Sequence, residues 1–337
     1  MDAQLARVTY RFRRPITTAY GELTERDVLV LRLRDPAGHE GIGEAAPLAP
    51  YHGVMLEEAR HALVPALADL KEAVSAGEEF VIDTGLPQAD AALDVALADL
   101  AARAAHQAGL GLGEGGSVPV NATVAATDRA GASREAAAAA EAGFGTVKLK
   151  VGVGDDAGRV AAVRAAVGPK VAIRLDANGA WTIDQAVAAL RALAPSRIEL
   201  CEEPVHGVAA LAKVRERLRG EVAIAMDESA ADEEAVTSGA CEYVCLKVAS
   251  CGGARPLVDL AAGARHAGSR VYVASTYDGP VGIAAGLHAA AALGPETPAC
   301  GLATLGLFEG IGDPFAVRDG RIEVPAGPGL GVSWPAG

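Results

Sequence analysis

The sequence predicts an α/β protein in which a TIM-type barrel follows a smaller α+β lobe. Three observations carry that prediction. Residues 4–45 alternate apolar and polar positions, as antiparallel strands do. From residue 118 onward, short β-branched runs recur every ~20 to 30 residues, each followed by an Ala-rich helical stretch, which is the period of a βα unit. Charged residues gather where those runs end, and strand ends are where such a barrel places its chemistry.

In the first lobe the alternation is clearest in Asp27-Val28-Leu29-Val30-Leu31-Arg32-Leu33, and Asp35-Pro36-Ala37-Gly38 supplies a turn before the next extended stretch. Helices are predicted over 56–76 and 90–108, both rich in Ala and Leu at helical spacing. Strands followed by helices make a separate α+β lobe over residues 1–115. At its end Gly111, Gly113 and Gly116 satisfy GxGxxG, but they follow a helix and open none, so the strand-turn-helix context of a dinucleotide site is missing.

Eight apolar runs follow, at 118–124, 145–150, 171–176, 198–202, 222–226, 243–247, 270–275 and 299–304. They predict a barrel over residues 116–306, with a doubly wound open sheet as the alternative. Residues 307–337 are rich in Gly and Pro, carry one strand-like piece at 321–324, and are expected to return to the first lobe.

Bulk properties exclude several classes. A net charge of -13 and a pI near 5.0 repel nucleic acid and anionic membranes, leaving small-molecule work. The five cysteines, Cys201, Cys241, Cys245, Cys251 and Cys300, are odd in number and lack CxxC spacing, so they read as small buried hydrophobes in a reducing cytosol. The opening MDAQLARVTYRFRRP has no apolar core of signal-peptide length, and no run reaches the ~20 residues of a membrane span, so a cytoplasmic protein is expected. The Ala-rich barrel helices do not reveal oligomeric state, so a homo-oligomer stays open.

The strand ends read Lys148-Leu149-Lys150, Asp176-Ala177-Asn178, Glu202-Glu203-Pro204, Asp227-Glu228-Ser229 and Leu246-Lys247. Asp176, Glu202 and Asp227 thus reach one volume from three successive strands, and converging carboxylates call for a divalent cation. All-oxygen ligation suits magnesium, with manganese as a substitute. Lys148 and Lys150 are two apart and share one face of their strand, with Lys247 across the ring. A lysine in a water-poor pocket beside a metal and a second cation is expected to have a lowered pKa, which makes a base available near neutrality.

The motifs VKLK, RLDANGAW, EEP, MDES and LKVASCGG, with GIGEAAPLAP in the first lobe, resemble in order those of the enolase superfamily, in its muconate lactonizing enzyme subgroup. The resemblance runs over nearly the whole chain. It implies a (β/α)7β barrel with an N-terminal α+β capping domain completed by the C-terminal segment. It also implies an acid/base pair of Lys150 and Lys247, and magnesium on Asp176, Glu202 and Asp227. The reaction it implies is removal of a proton alpha to a carboxylate, giving an enediolate; a lysine base with magnesium is the general description of this superfamily. Lys148, Ser275 and Asp278 are candidates for substrate binding or for tuning a neighbour's pKa, and Asn178, Glu203 and Glu228 for orienting ligands. Asn178 also reads as a plain turn residue before Gly179.

Members like mandelate racemase need a histidine near the end of strand seven, where this chain reads VASTYDG. His52, in the 47–53 loop, reads as a surface residue in preference to a substrate contact. Within the subgroup, dipeptide epimerases carry Asp-x-Asp after strand eight, where this chain has Gly301-Leu302-Ala303-Thr304. The stretch into ACGLATLGLF is similar to o-succinylbenzoate synthases, which implies a dehydration in menaquinone biosynthesis. One departure, Asp278-Gly279-Pro280, stands where many relatives have Glu and small residues. Racemisation or epimerisation of N-succinylamino acids or dipeptides, and muconate-type cycloisomerisation, remain the alternatives; the partner in each case is a small carboxylate.

Overall fold

The computed structural model describes residues 1–18, 21–113, 115–312 and 314–334. Three antiparallel strands open the chain: β1 (Asp2–Thr18), β2 (Gly21–Arg34) and β3 (Glu40–Ala45), in that order across the sheet. β2 lies between two cores. Leu29, Leu31 and Leu33 face the lobe's own helices, whereas Val28 and Val30 join the core shared with the barrel. The strand is therefore apolar on both faces near its middle, and Arg26 lies on the barrel side with Val28 and Val30.

The short helix α1 (Ala49–His52) leads to α2 (Leu56–Ala76), which starts where the Met55 amide donates to Glu58 Oε2 at 2.6 Å. Helix α3 (Pro87–Ala104) lies against β3 so closely that a Cβ at Gly41 or Gly43 would meet the carbonyls of Ala96 and Ala92. The glycines of GIGEAAPLAP are thus packing glycines.

β4 (Ser117–Pro119) is not a barrel strand, and β5 (Ala122–Val124) is the first. There follow α4 (Arg129–Glu141), β6 (Thr146–Lys150), α5 (Asp156–Val167), β7 (Ala172–Asp176), α6 (Ile183–Leu193), β8 (Ile198–Glu202), α7 (Val208–Leu218), β9 (Ala223–Met226) and α8 (Glu233–Val236). The series ends with β10 (Tyr243–Lys247), α9 (Val248–Cys251), α10 (Ala254–His266), β11 (Arg270–Ala274) and α11 (Pro280–Ala292). The seven strands β5 to β11 pair in sequence order, all parallel, into one curled sheet. The eighth strand expected over 299–304 is reduced to Cys300 and Gly301, which bridge in parallel to Val120 and Ala274 and so join the two edges. Pro298 has no amide to donate, and after Gly301 the chain turns into a 3-10 turn at Leu305–Leu307, which leaves no room for a longer strand.

Helices α4, α5, α6 and α8 begin on their own N-cap side chains, Asp128, Asp155, Thr182 and Asp232. Helix α10 instead takes its cap from the first lobe: Asp94 of α3 accepts the Ala254 amide at 2.8 Å. After α11 the chain runs back along the first lobe. Glu309 donates its amide to the Arg11 carbonyl at 2.8 Å, and the buried Asp99 carboxylate accepts the amides of Leu330 at 2.7 Å and Ile42 at 2.9 Å. β12 (Arg321–Glu323) pairs with β4. Cys201, Cys241, Cys245 and Cys300 are buried free thiols and Cys251 is half-buried. Among the described residues, no helix is long and apolar enough to cross a membrane.

Candidate active site

The ends of the barrel strands open into a pocket roofed by the first lobe. Its lining includes Lys148, Lys150, Asp176, Asn178, Asp227, Lys247, Ser275, Thr276, Tyr277 and Thr304 from the barrel, and Leu23, Leu48, Pro50 and Tyr51 from the lobe. Parallel register places the charged ends side by side, because Lys150 pairs with Asp176 and Asp176 with Glu202 across β6, β7 and β8. Asp227 follows β9 directly and Lys247 ends β10.

The three lysines have different surroundings. Lys148 donates to Glu202 Oε2 at 2.9 Å and lies 3.2 Å from Asp176 Oδ2. Burial alone would lower its pKa, but Asp176, Glu202 and Asp227 outweigh that and hold it well above the ordinary lysine value. Lys247 donates to Asp227 Oδ1 and, at 2.8 Å, to the Tyr51 hydroxyl, with its ammonium 4.6 Å from the centre of the Tyr51 ring. Its pKa is also held well above the ordinary value, since the charge on Asp227 outweighs the cost of burial. Only for Lys150 is a lowered pKa found, caused first by burial and then by repulsion from Lys148, against the pull of Asp176 and Glu228. The direction at Lys150 is the one expected of a base, whereas at Lys148 and Lys247 a carboxylate in direct contact decides the sign.

Glu203, with φ at +37°, turns its carboxylate away from the pocket to accept the Asp227 amide at 2.8 Å and the Ser229 hydroxyl, and lies 3.2 Å from His206 Nδ1. It fixes the end of β9 rather than touching the cavity. Asn178 donates to Glu228 Oε1 at 2.8 Å from a left-handed backbone, so it is a turn residue and a polar partner at once. Burial, then the charges of Asp227 and Asp176, push the Glu228 carboxyl up to about 8. Ser275 lies in the wall, its hydroxyl 3.2 Å from that of Thr304. Asp278 is not part of the pocket wall; it is buried behind it, accepting the Thr276 amide and hydroxyl at 3.1 and 2.9 Å.

Sequence reasoning passed over Tyr51, whose hydroxyl donates to Asp227 Oδ1 at 3.0 Å from the first lobe. Its neighbour His52 is half-buried, with Nδ1 accepting the Leu48 amide at 2.9 Å and Nε2 3.2 Å from Ser250 Oγ, so it joins α1 to α9 and does not contact the pocket.

Among the described residues no group of three or more His, Cys, Asp or Glu side chains is already gathered around one point as a metal cage. Lys148 stands between Asp176 and Glu202, and Lys247 against Asp227, so the ammonium groups balance the carboxylates. The residues nevertheless fit a hard divalent cation. Three carboxylates lie on adjacent strands, and Asp176 Oδ1 is buried without a hydrogen-bond partner. Burial and then the charges of Asp176 and Asp227, against Lys148, raise the Glu202 pKa.

A family model described as enolase C-terminal domain-like matches residues 131–336, and one described as the N-terminal domain of mandelate racemase / muconate lactonizing enzyme matches residues 1–113. The o-succinylbenzoate synthase of Thermobifida fusca is 44% identical over 220 residues, 62% of this chain and 67% of that protein. That of Mycobacterium tuberculosis is 44% identical over 218 residues, 61% of this chain and 64% of its own length, so the chain's match spans about two thirds of these relatives. Among solved structures, a dipeptide epimerase from Enterococcus faecalis, complexed with Mg and the dipeptide L-Leu-L-Tyr, superposes with a TM-score of 0.86 at 25% identity, covering 98% of this chain and 99% of that one.

Proposed function

From a chain that belongs to the enolase superfamily, with both domains of the mandelate racemase / muconate lactonizing enzyme architecture, we propose a magnesium-dependent dehydratase that forms o-succinylbenzoate. The observation that carries this reading is the pocket itself, where Lys150 on β6 and Lys247 on β10 share one cavity with Asp176 and Asp227. Identity to two o-succinylbenzoate synthases supports the substrate, a succinyl hydroxycyclohexadiene carboxylate of menaquinone biosynthesis.

A magnesium ion held by Asp176, Glu202 and Asp227 would supply the positive charge that makes a proton alpha to a carboxylate removable by an amine. Lys150, the lysine with the lowered pKa, takes that proton on Nζ as the carbon-hydrogen bond breaks. The same ammonium then gives the proton to the departing hydroxyl, which leaves as water while the ring becomes aromatic. Lys247 stays an ammonium and stabilises the enediolate from the other side. Lys148, anchored by Glu202 and Asp176, adds a fixed positive charge beside the substrate carboxylate.

Epimerisation of dipeptides is the second reading, favoured by the superposition on an epimerase over 98% of the chain. Against it, the pocket wall from the eighth strand offers Gly301 and Thr304, with no carboxylate to pair a substrate ammonium. An ultraviolet assay of the purified protein with magnesium and the succinyl substrate, beside an EDTA control, tests the proposal. Fast aromatisation abolished by EDTA is expected. No turnover, with epimerisation of dipeptides or N-succinylamino acids instead, would overturn it.

A further inference from the structure

Arg26 and Glu44 lie in the first lobe, away from the reacting groups, yet each reaches into the barrel. Arg26 is 3% exposed and uses its planar fork on main-chain carbonyls: Nε donates to Thr276 at 3.1 Å, Nη2 to Ala46 at 2.6 Å, and Nη1 to Pro47 at 2.6 Å and Asp27 at 2.8 Å. Ala46 and Pro47 open the segment whose Leu48, Pro50 and Tyr51 form one wall of the pocket, and Thr276 belongs to the Ser275–Thr276–Tyr277 wall of the barrel. One side chain therefore ties together two walls, one of them held through Thr276, 250 residues from Arg26 in sequence.

Glu44 makes the neighbouring connection. Helix α11 begins at Gly279 without a side-chain cap of its own, and Glu44 Oε1 accepts the Gly279 amide at 2.7 Å. A Cβ at Gly279 would lie 2.6 Å from Glu44 Oε2 and one at Gly282 2.8 Å from Oε1, so the glycines make room for the carboxyl group. Asp278, beside Arg26, holds Thr276 by its amide and hydroxyl. The two polar residues thus hold the loop before α11, which leads directly out of the pocket wall.

We propose that Arg26 and Glu44 form a latch between the lobes, and that Arg26 is a positioning residue which sets the spacing of the two pocket walls for substrate. A guanidinium can serve carbonyls in two loops at once, whereas an ammonium is a compact point of charge on a flexible stem. The proposal rests on reading this pocket as the substrate site of the dehydration. Loss of the latch weakens substrate binding alike in the ground and transition states, because neither wall carries the base and Tyr51 keeps its own hydrogen bonds to Lys247 and Asp227.

The test compares Arg26→Gln and Arg26→Lys with the wild type by steady-state kinetics and by hydrogen exchange of segments 46–51 and 275–279. The latch predicts a KM raised about tenfold with kcat within about threefold in Arg26→Gln, a smaller rise in Arg26→Lys, and joint loss of protection in both segments. A merely structural role would lower the melting temperature and the active fraction, and so kcat, at unchanged KM. Unchanged KM with both segments still protected overturns the latch, as does loss confined to one segment. If Arg26→Gln does not fold, Arg26→Lys is judged on the same two readouts. If the wild type does not turn over the succinyl substrate, the functional reading fails, and the exchange data alone decide for or against the latch.

Discussion

At the scale of single residues, the pocket sorts its lysines by contact. Lys150 makes no direct ion pair with a carboxylate and is half-buried, so it loses its proton most easily; Lys247 is held against Asp227 and keeps its proton. A rate limited by Lys150 should therefore rise with pH and level off below the ordinary lysine value of ~10.4. Lys148→Met removes a repelling cation, so the pH profile of kcat/KM in that variant should shift to higher pH. Tyr51→Phe keeps the ring over Lys247 but deletes the hydroxyl between Lys247 and Asp227. It should lower kcat ~10-fold while melting within ~1 kcal/mol of wild type, which kinetics and thermal denaturation would check together. The acidic and basic residues were legible in the sequence because each ends an apolar run. Tyr51 was not, because its partners lie 176 and 196 residues away in the chain and no periodicity links them.

At the scale of elements, the periodic segments were read well where the signal was local. The helix expected over 56–76 is α2 residue for residue. The one expected over 90–108 begins at Pro87, where a proline fits the first turn, and ends at Ala104 before the left-handed His106; Ala108 then bridges to Pro328 and Gly329. The eighth strand was overextended because its apolar run serves packing rather than a ladder: Cys300 and Leu302 are buried, but pairing stops at Gly301. The cap on α10 could not be read at all, since its side chain comes from α3 of the other lobe. Gly253 there has φ at +144° and a Cβ would meet Asp94, so Gly253→Ala should destabilise by ~2 kcal/mol in denaturant titration. His52, joining α1 to α9, has its pKa lowered to about 3 by burial and then by Lys247 and Arg26. Its depressed folded value means the unfolded chain binds the extra proton, so stability present above pH ~6.5 is lost as pH falls from there toward 3. Melting curves of His52→Asn should show less of that loss between pH 6.5 and 5.

At the scale of the whole molecule, the two lobes are joined by polar contacts rather than by apolar packing alone. Asp94 and Glu44 each cap a barrel helix, Arg26 ties two loops, and Tyr51 reaches the barrel's own charges. The site thus belongs to neither lobe by itself, and a bound cation would give the buried Asp176 Oδ1 the partner it lacks. Magnesium should accordingly raise the melting temperature of the wild type by several degrees at ~100-fold above its dissociation constant, and should have little effect on Asp176→Asn, which calorimetry would show without any substrate. Net charge and the strand-end pattern point to small-molecule chemistry at the barrel mouth, while the walls that would choose among substrates come from loops whose spacing only the folded chain defines.

The most direct test of the account is release of an α-tritium label from the succinyl substrate by wild type, Lys150→Ala and Lys247→Ala in a single turnover with magnesium. The account predicts release by the wild type, slower release by Lys247→Ala, and a loss of ~1,000-fold or more in Lys150→Ala. Release by Lys150→Ala at nearly the wild-type rate, or its abolition in Lys247→Ala, would contradict Lys150 as the base that takes the proton.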